Sequence, residues 1–343
     1  MTSSNPQSQS PNPQSPNPES PNPQLPNPQM MDGILVIDKP EGLTSHDVVA
    51  RVRKILKTRR VGHTGTLDPF ATGALVICVN RATRLVQFLT GDDKEYVATM
   101  RLGFATDTGD LTGKPKTPVT DAGDITSDKV QRAFAHFLGH IKQIPPMYSA
   151  KKVGGVKLYE MARRGEEIER APIVVEIKKL ELFTPAGDSS GAIAQASAQT
   201  APGEFTFQVV CSSGTYIRAL AEEIGRHLGV GAHLTRLRRT RVGNCSLDKA
   251  ATLEELSRMA ESGRSDQVMV TMADAISMPA LRVDCDDRKR VSHGRSIEHP
   301  EAGNAVCASG ALAKVYDKKN QLIAIAEYDA GKTLWRPRVV LID

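Results

Sequence analysis

Twelve consecutive residues, Gly62-His63-Thr64-Gly65-Thr66-Leu67-Asp68-Pro69-Phe70-Ala71-Thr72-Gly73, constrain this chain more than any others. Three glycines and a proline in so short a run let the backbone turn sharply and come close to a neighbour, while Pro69 biases Asp68 toward an extended conformation. The loop separates apolar runs short enough to be buried strands, Gly33 to Asp38 before it and Ala74 to Val79 after it. A carboxylate presented this way can act as nucleophile or base, or can merely cap its own turn.

Between the first run and the loop, Thr44 and Asp47 have the spacing of a capping box. The helix it opens carries Val48, Val49, Val52, Ile55 and Leu56 on one face and Arg51, Arg53, Lys54 and Lys57 on the other. Arg59 and Arg60 extend the basic face toward the loop, where it suits phosphate contact as well as plain solvation. Past the loop, Arg84 to Leu89 reads as a short helix. Lys94 to Leu102 alternates as a strand with Tyr96 on its inward side. Ala105 to Asp110 is a polar loop, and Ser127 is expected to cap a helix with Val130, Phe134, Phe137 and Leu138 on its apolar side.

Gln143 to Lys152 follows as a stiff extended piece, then a helix over Leu158 to Arg164 and strands over Ile173 to Phe183 and Phe205 to Cys211. Between those strands, Thr184 to Glu204 is rich in small residues and is expected to be a mobile loop. Cys211 to Ala221 reads as strand end, small-residue turn and helix start near Thr215, leaving backbone N–H groups free for an anion beside Arg218. His233 to Arg241 packs four arginines into nine residues but follows neither a strand nor a helix period. From Pro279 the chain reads as a compact β unit with strands over Ala311 to Tyr316, Leu322 to Glu327 and Arg338 to Ile342.

Composition narrows the chemistry. The chain has 343 residues, 40% hydrophobic, enough for one large domain and a small one. Its net charge of +5 permits a polyanionic partner. Five scattered cysteines form no C-x-x-C pair, which argues against a zinc site or disulfide framework. The eight histidines form no metal-ligand cluster, and no phosphate-loop or dinucleotide motif is present, so chemistry without cofactor or metal is expected. Residues 1–30 repeat Pro-Asn-Pro every five residues from Pro11 and should be disordered. No run of about 20 apolar residues and no signal peptide is evident, so a cytoplasmic protein without membrane contact is expected.

The motifs in this order resemble the bacterial tRNA pseudouridine synthase B family. Gly33 to Ser45, Gly62 to Gly73, Lys94-Glu95-Tyr96, Gln143 to Ala150, Cys211 to Arg218 and His233 to Arg239 carry the likeness, with Ala324 to Tyr328 and Arg336 to Val340 pointing to a PUA-like RNA-binding domain. The resemblance implies an α+β pseudouridine synthase fold: a central mixed, largely antiparallel sheet flanked by helices, plus a small C-terminal β-rich PUA-like domain. The implied division is a disordered tail at 1–30, a catalytic domain at 31–275 and the PUA-like unit at 279–343. The implied activity is isomerisation of uridine 55 in the T-loop of tRNA, by base flipping and aspartate-dependent cleavage and re-formation of the glycosidic bond.

Carried over by motif, Asp68 is the catalytic aspartate and Arg218 the arginine paired with it. Tyr96 stacks on the target base, His63 meets the space left by the extruded nucleotide, and Tyr216 and Leu237 line the pocket. Lys39 is a supporting residue, as much structural as functional. The partner implied is the tRNA T-arm, bound by a monomer. A tRNA-binding or tRNA-folding protein without catalysis is the alternative, whereas a glycosidase would need two flanking carboxylates and only one is evident.

Overall fold

The computed structural model describes residues 1, 31–183, 202–298 and 308–342. The Pro-Asn-Pro tail, nearly all of the expected mobile loop, and His299 lie outside the described residues.

An eleven-stranded mixed sheet forms the scaffold. Its main strands are β1 (Gly33–Lys39), β2 (Val61–His63), β3 (Thr72–Val79), β4 (Lys94–Leu102), β5 (Gly139–Gln143), β6 (Ile173–Leu182), β7 (Glu204–Cys211) and β8 (Ala232–Val242). Their order is β1-β3-β8-β4-β7-β6-β5, with β2 branching from β3. All these pairings are antiparallel except β3 with β8, so the sheet is mixed and largely antiparallel as expected. The parallel pair brings residues from distant parts of the chain side by side.

Helices cover one face. The capping box at Thr44 and Asp47 is present and starts α1 (Ser45–Ile55), which buries Val48, Val49 and Val52. In α2 (Ser127–Phe134) the cap is Thr126 rather than Ser127, because it is the Thr126 hydroxyl that accepts from the backbone N–H of Lys129. Phe134 packs on Phe207 of β7. The α-helix ends at Phe134, and Leu138 is 47% exposed instead of joining the apolar side, because the backbone has become extended there before turning at Gly139, φ +81°. The next two helices are α3 (Ile217–His227), which buries Leu220, Ala221 and Ile224, and α4 (Leu253–Glu261) beside α1.

The Arg-rich segment that gave no period is β8. Its register slips between Leu234 and Arg236 and again between Arg239 and Arg241. A bulge adds a residue and reverses the alternation. That is how Leu234 and Leu237, three residues apart, both enter the same apolar core.

The C-terminal unit is a four-stranded sheet in the order β9 (Ala280–Arg282), β10 (Leu312–Tyr316), β11 (Leu322–Asp329), β12 (Leu334–Val340). Two expectations are corrected. The last strand begins at Leu334, four residues before Arg338, and includes Pro337, tolerated because β12 is an edge strand. A helix, α5 (Cys285–Ser292), also belongs to the unit, capped by the Asp284 carboxylate accepting from the N–H groups of Asp286 and Asp287. Leu322, Ile325, Val339 and Leu341 pack into one apolar cluster with Ile34, Val36, Val76 and Cys78 of the main sheet.

Candidate active site

The Asp68 loop is pinned from four directions. Leu67 and Phe70 insert into the core. The Ser45 hydroxyl donates to the Leu67 carbonyl at 3.2 Å and accepts from its N–H at 2.9 Å. Gly42 N–H and Lys39 Nζ both donate to the Pro69 carbonyl, at 2.8 and 3.2 Å. Arg239, 1% exposed, reaches across from β8 and donates to the carbonyls of Ala74 at 2.7 Å, Gly65 at 3.2 Å and Thr66 at 3.5 Å. One glycine is indispensable here. A Cβ on Gly73, φ +101°, would lie 2.2 Å from the Arg239 carbonyl oxygen, so the parallel β3–β8 approach requires its absence.

Against this loop stands the start of α3. Arg218 Nε donates to Asp68 Oδ2 at 2.8 Å, although 150 residues separate them. The other two guanidinium nitrogens donate to the backbone carbonyls of Thr108 and Tyr148 at 2.7 and 2.8 Å, and Asp110 Oδ2 lies 3.9 Å from Nε. With its side chain 4% exposed, Arg218 is fixed by these contacts, whereas the Asp68 side chain remains 32% exposed. The result is an accessible carboxylate held by a buried cation.

Asp68 opens onto a cavity of about 460 Å³. Tyr96, Tyr216, Arg218 and Leu237 line it together with Lys94, Arg239 and the 212–215 turn. Burial raises the pKa of both tyrosine hydroxyls, so they are neutral phenols at neutral pH. The expected free N–H groups at the helix start are partly used: helix α3 begins at Ile217 rather than Thr215, and the Tyr216 N–H is taken by Gln143 Oε1 at 2.7 Å. Whereas Asp68, Tyr96, Tyr216, Arg218 and Leu237 come together, His63 and Lys39 do not line the cavity. Lys39 sits beneath the loop with Nζ donating to three carbonyls, and burial pushes its pKa down to about 8. His63 lies beside His46, ring centroids 5.6 Å apart, and burial, then His46 and Arg239, lower its pKa.

Three further supports went unrecognised in the sequence. Arg239 looked like part of a polyanion-binding run, yet it holds the Asp68 loop; Arg238 pairs with Asp38 at 2.8 Å and Arg241 with Glu95 at 2.9 Å, leaving Arg236 as the exposed member. The Thr108 and Tyr148 carbonyls act through backbone atoms, which no residue type announces. Gln143 is fully buried and holds the α3 start, a signal available only from its polar type in an otherwise apolar strand end.

Residues 53–217 match the family model for the TruB family pseudouridylate synthase N-terminal domain, and residues 218–279 match that for the tRNA pseudouridylate synthase B C-terminal domain. The Asp68–Arg218 pair therefore joins the two matched regions. The chain is 40% identical over 304 residues to tRNA pseudouridine synthase B of Burkholderia mallei (strain NCTC 10247), covering 88% of this chain and 94% of that protein. It is 40% identical over 315 residues to tRNA pseudouridine synthase B of Bacillus subtilis (strain 168), covering 92% and 99%. Among solved structures it resembles a chain of a Cbf5-Nop10-Gar1 complex, with TM-score 0.68 and 27% identity over 92% of this chain and 86% of that one. A chain of an H/ACA RNP bound to a substrate RNA containing 2'-deoxyuridine gives TM-score 0.66 and 25% identity over 91% and 85%. With relatives of this identity aligned over nearly their whole length, and a scaffold shared with solved synthases, the chain belongs to the TruB family of pseudouridylate synthases.

Proposed function

We infer that this chain converts uridine 55 in the T-loop of tRNA to pseudouridine, with Asp68 as the catalytic carboxylate. The observation that carries the reading is the 2.8 Å pair between Asp68 and Arg218 at a cavity walled by Tyr96, Tyr216 and Leu237. It gives one ionisable group access to a nucleotide and fixes that group's direction. Relatives named tRNA pseudouridine synthase B support the substrate.

A uridine inside a folded T-loop must be flipped out to reach the carboxylate, at an unstacking cost of a few kcal/mol. In this reading Tyr96 stacks on the extruded base, Tyr216 and Leu237 enclose it, and His63 meets the disturbed loop. Lys39 shapes the Asp68 loop from behind. Arg51, Lys54, Lys57, Arg59 and Arg60 are exposed along and just beyond α1 and offer phosphate contacts to the T-arm. The reaction rearranges bonds within one nucleotide, so it needs neither cofactor nor metal. Residues 31–275 form the catalytic domain and the unit from Pro279 a PUA-like RNA-binding domain. The enzyme works as a cytoplasmic monomer, all cavity residues coming from one chain; among the described residues no helix is long and apolar enough to cross a membrane.

The test is incubation with an unmodified tRNA transcript and mapping of pseudouridine, with Asp68→Asn beside the wild type. The variant keeps the shape and removes the charge, so product formation should vanish while tRNA affinity stays within about tenfold. Product at wild-type rate from that variant sinks the catalytic assignment. Absence of product from the wild type, with binding retained, favours a tRNA-binding protein without catalysis.

A further inference from the structure

Arg218 faces Asp68, but two other cations line the same cavity with no acid against them. Lys94 is 7% exposed and Arg239 1%, and among the described residues neither forms a salt bridge. Lys94 Nζ donates to the carbonyls of Thr90 at 2.7 Å and Asp92 at 2.5 Å, which uses two of an ammonium's three donors. Arg239 donates to carbonyls alone. The cavity wall thus carries three cations and one carboxylate. Burying charges that only neutral carbonyls partner is costly, so this wall is set to receive negative charge.

The strand register says where that charge develops. Lys94 and Tyr96, two residues apart on β4, face the same side of the sheet. Arg239 is the direct partner of Tyr96 across the β4–β8 ladder. If Tyr96 stacks on the target base, the reading on which this inference rests, both cations stand beside the base and not beside the phosphodiester chain.

We propose that Lys94, backed by Arg239, stabilises the negative charge that the uracil ring acquires when its bond to the sugar breaks. Heterolysis of the C1′–N1 bond leaves the bonding pair on the base, delocalised over N1, O2 and O4. The ring then bonds to C1′ through C5, C5 loses its proton, and N1 ends protonated, so atoms and electrons balance without an outside reagent. Preorganised positive charge at a developing anion is among the larger contributions to catalysis. Lys94 is the group on which to test this, since Arg239 also holds the loop.

The test compares two transcripts, one with uridine and one with 5-fluorouridine at the target position, in single-turnover reactions read as loss of the parent nucleoside in digests. Fluorine withdraws electron density and stabilises the departing base, so the reaction depends less on protein charge. Lys94→Gln, whose amide can still donate to the two carbonyls, should slow the uridine transcript on the order of 10²-fold and the fluorinated one about tenfold less, with RNA affinity nearly unchanged. Lys94→Arg should restore most of the rate. Equal slowing on both transcripts, or a loss confined to affinity, overturns the proposal and assigns Lys94 a structural role. If Lys94→Gln fails to fold, Lys94→Met is put through the same comparison. No turnover of either transcript by the wild type would overturn the parent reading; turnover with equal factors overturns only this one.

Discussion

The ion pair between Asp68 and Arg218 should appear as a coupling in folding stability, separable from catalysis. Replacing Arg218 by Met removes three hydrogen bonds of 2.7–2.8 Å and leaves the carbonyls of Thr108 and Tyr148 without donors. Each unmet buried polar group costs about 1–3 kcal/mol, and breaking a buried charge pair from one side costs about 3–5 kcal/mol. Replacing Asp68 by Ala leaves a guanidinium that still has both carbonyls and Asp110 at 3.9 Å. With the Asp68 side chain 32% exposed, water takes part of its place, so about 1–2 kcal/mol is expected for that variant. The double variant should be less destabilised than the sum of the singles by about 1–2 kcal/mol. Urea unfolding followed by circular dichroism on all four proteins measures this. Additivity to within about 0.3 kcal/mol would refute the reasoning, because it would mean that Arg218 is held by backbone carbonyls alone.

Other perturbations probe the supports of the site. Gly73→Ala places a methyl 2.2 Å from the Arg239 carbonyl oxygen at φ +101°, so a loss of about 3 kcal/mol or more is expected by denaturant titration, and wild-type stability would contradict the close approach. Lys39, with its pKa lowered from 10.5 to about 8, binds fewer protons folded than unfolded between those values, so its contribution makes stability rise with pH across that window. The rise, up to about 3 kcal/mol, should be missing from Lys39→Met, and parallel stability–pH curves for the two proteins would exclude it. Truncation after Met278 strips Leu322, Ile325, Val339 and Leu341 from a shared apolar cluster, each such side chain contributing about 1.5–3 kcal/mol. The truncated chain should unfold at lower urea and bind a hydrophobic dye; an unchanged unfolding midpoint would show that the first sheet does without that cover.

Segments whose fold is decided locally were legible from residue order. The capping box at Thr44, the apolar strands on either side of the Asp68 loop and the alternation around Tyr96 all follow short-range rules, and each is present. The Asp68–Arg218 pairing was legible only through resemblance, since no local pattern joins residues so far apart. Strand β8 was hidden because two irregularities in its register rephase the side chains, and β12 because Pro337 suits only an edge. Helix α5 was missed for another reason: Asp286, Asp287, Arg288, Lys289 and Arg290 leave little apolar stripe, with Val291 its one buried residue. Arg239 was misread because a sequence shows that a side chain is charged, not which way it points.

The distance in sequence between Asp68 and Arg218 also has a consequence in time. A ribosome adding about 5–20 residues per second exposes the Asp68 loop roughly 8–30 s before Arg218, 150 residues later, has been made. Arg239, which anchors that loop through β8, follows later still. During that interval the carboxylate has neither its cation nor its brace. The half-made chain therefore carries the motif without the site, and competence arrives only once the second of the two matched regions has emerged and closed onto the first.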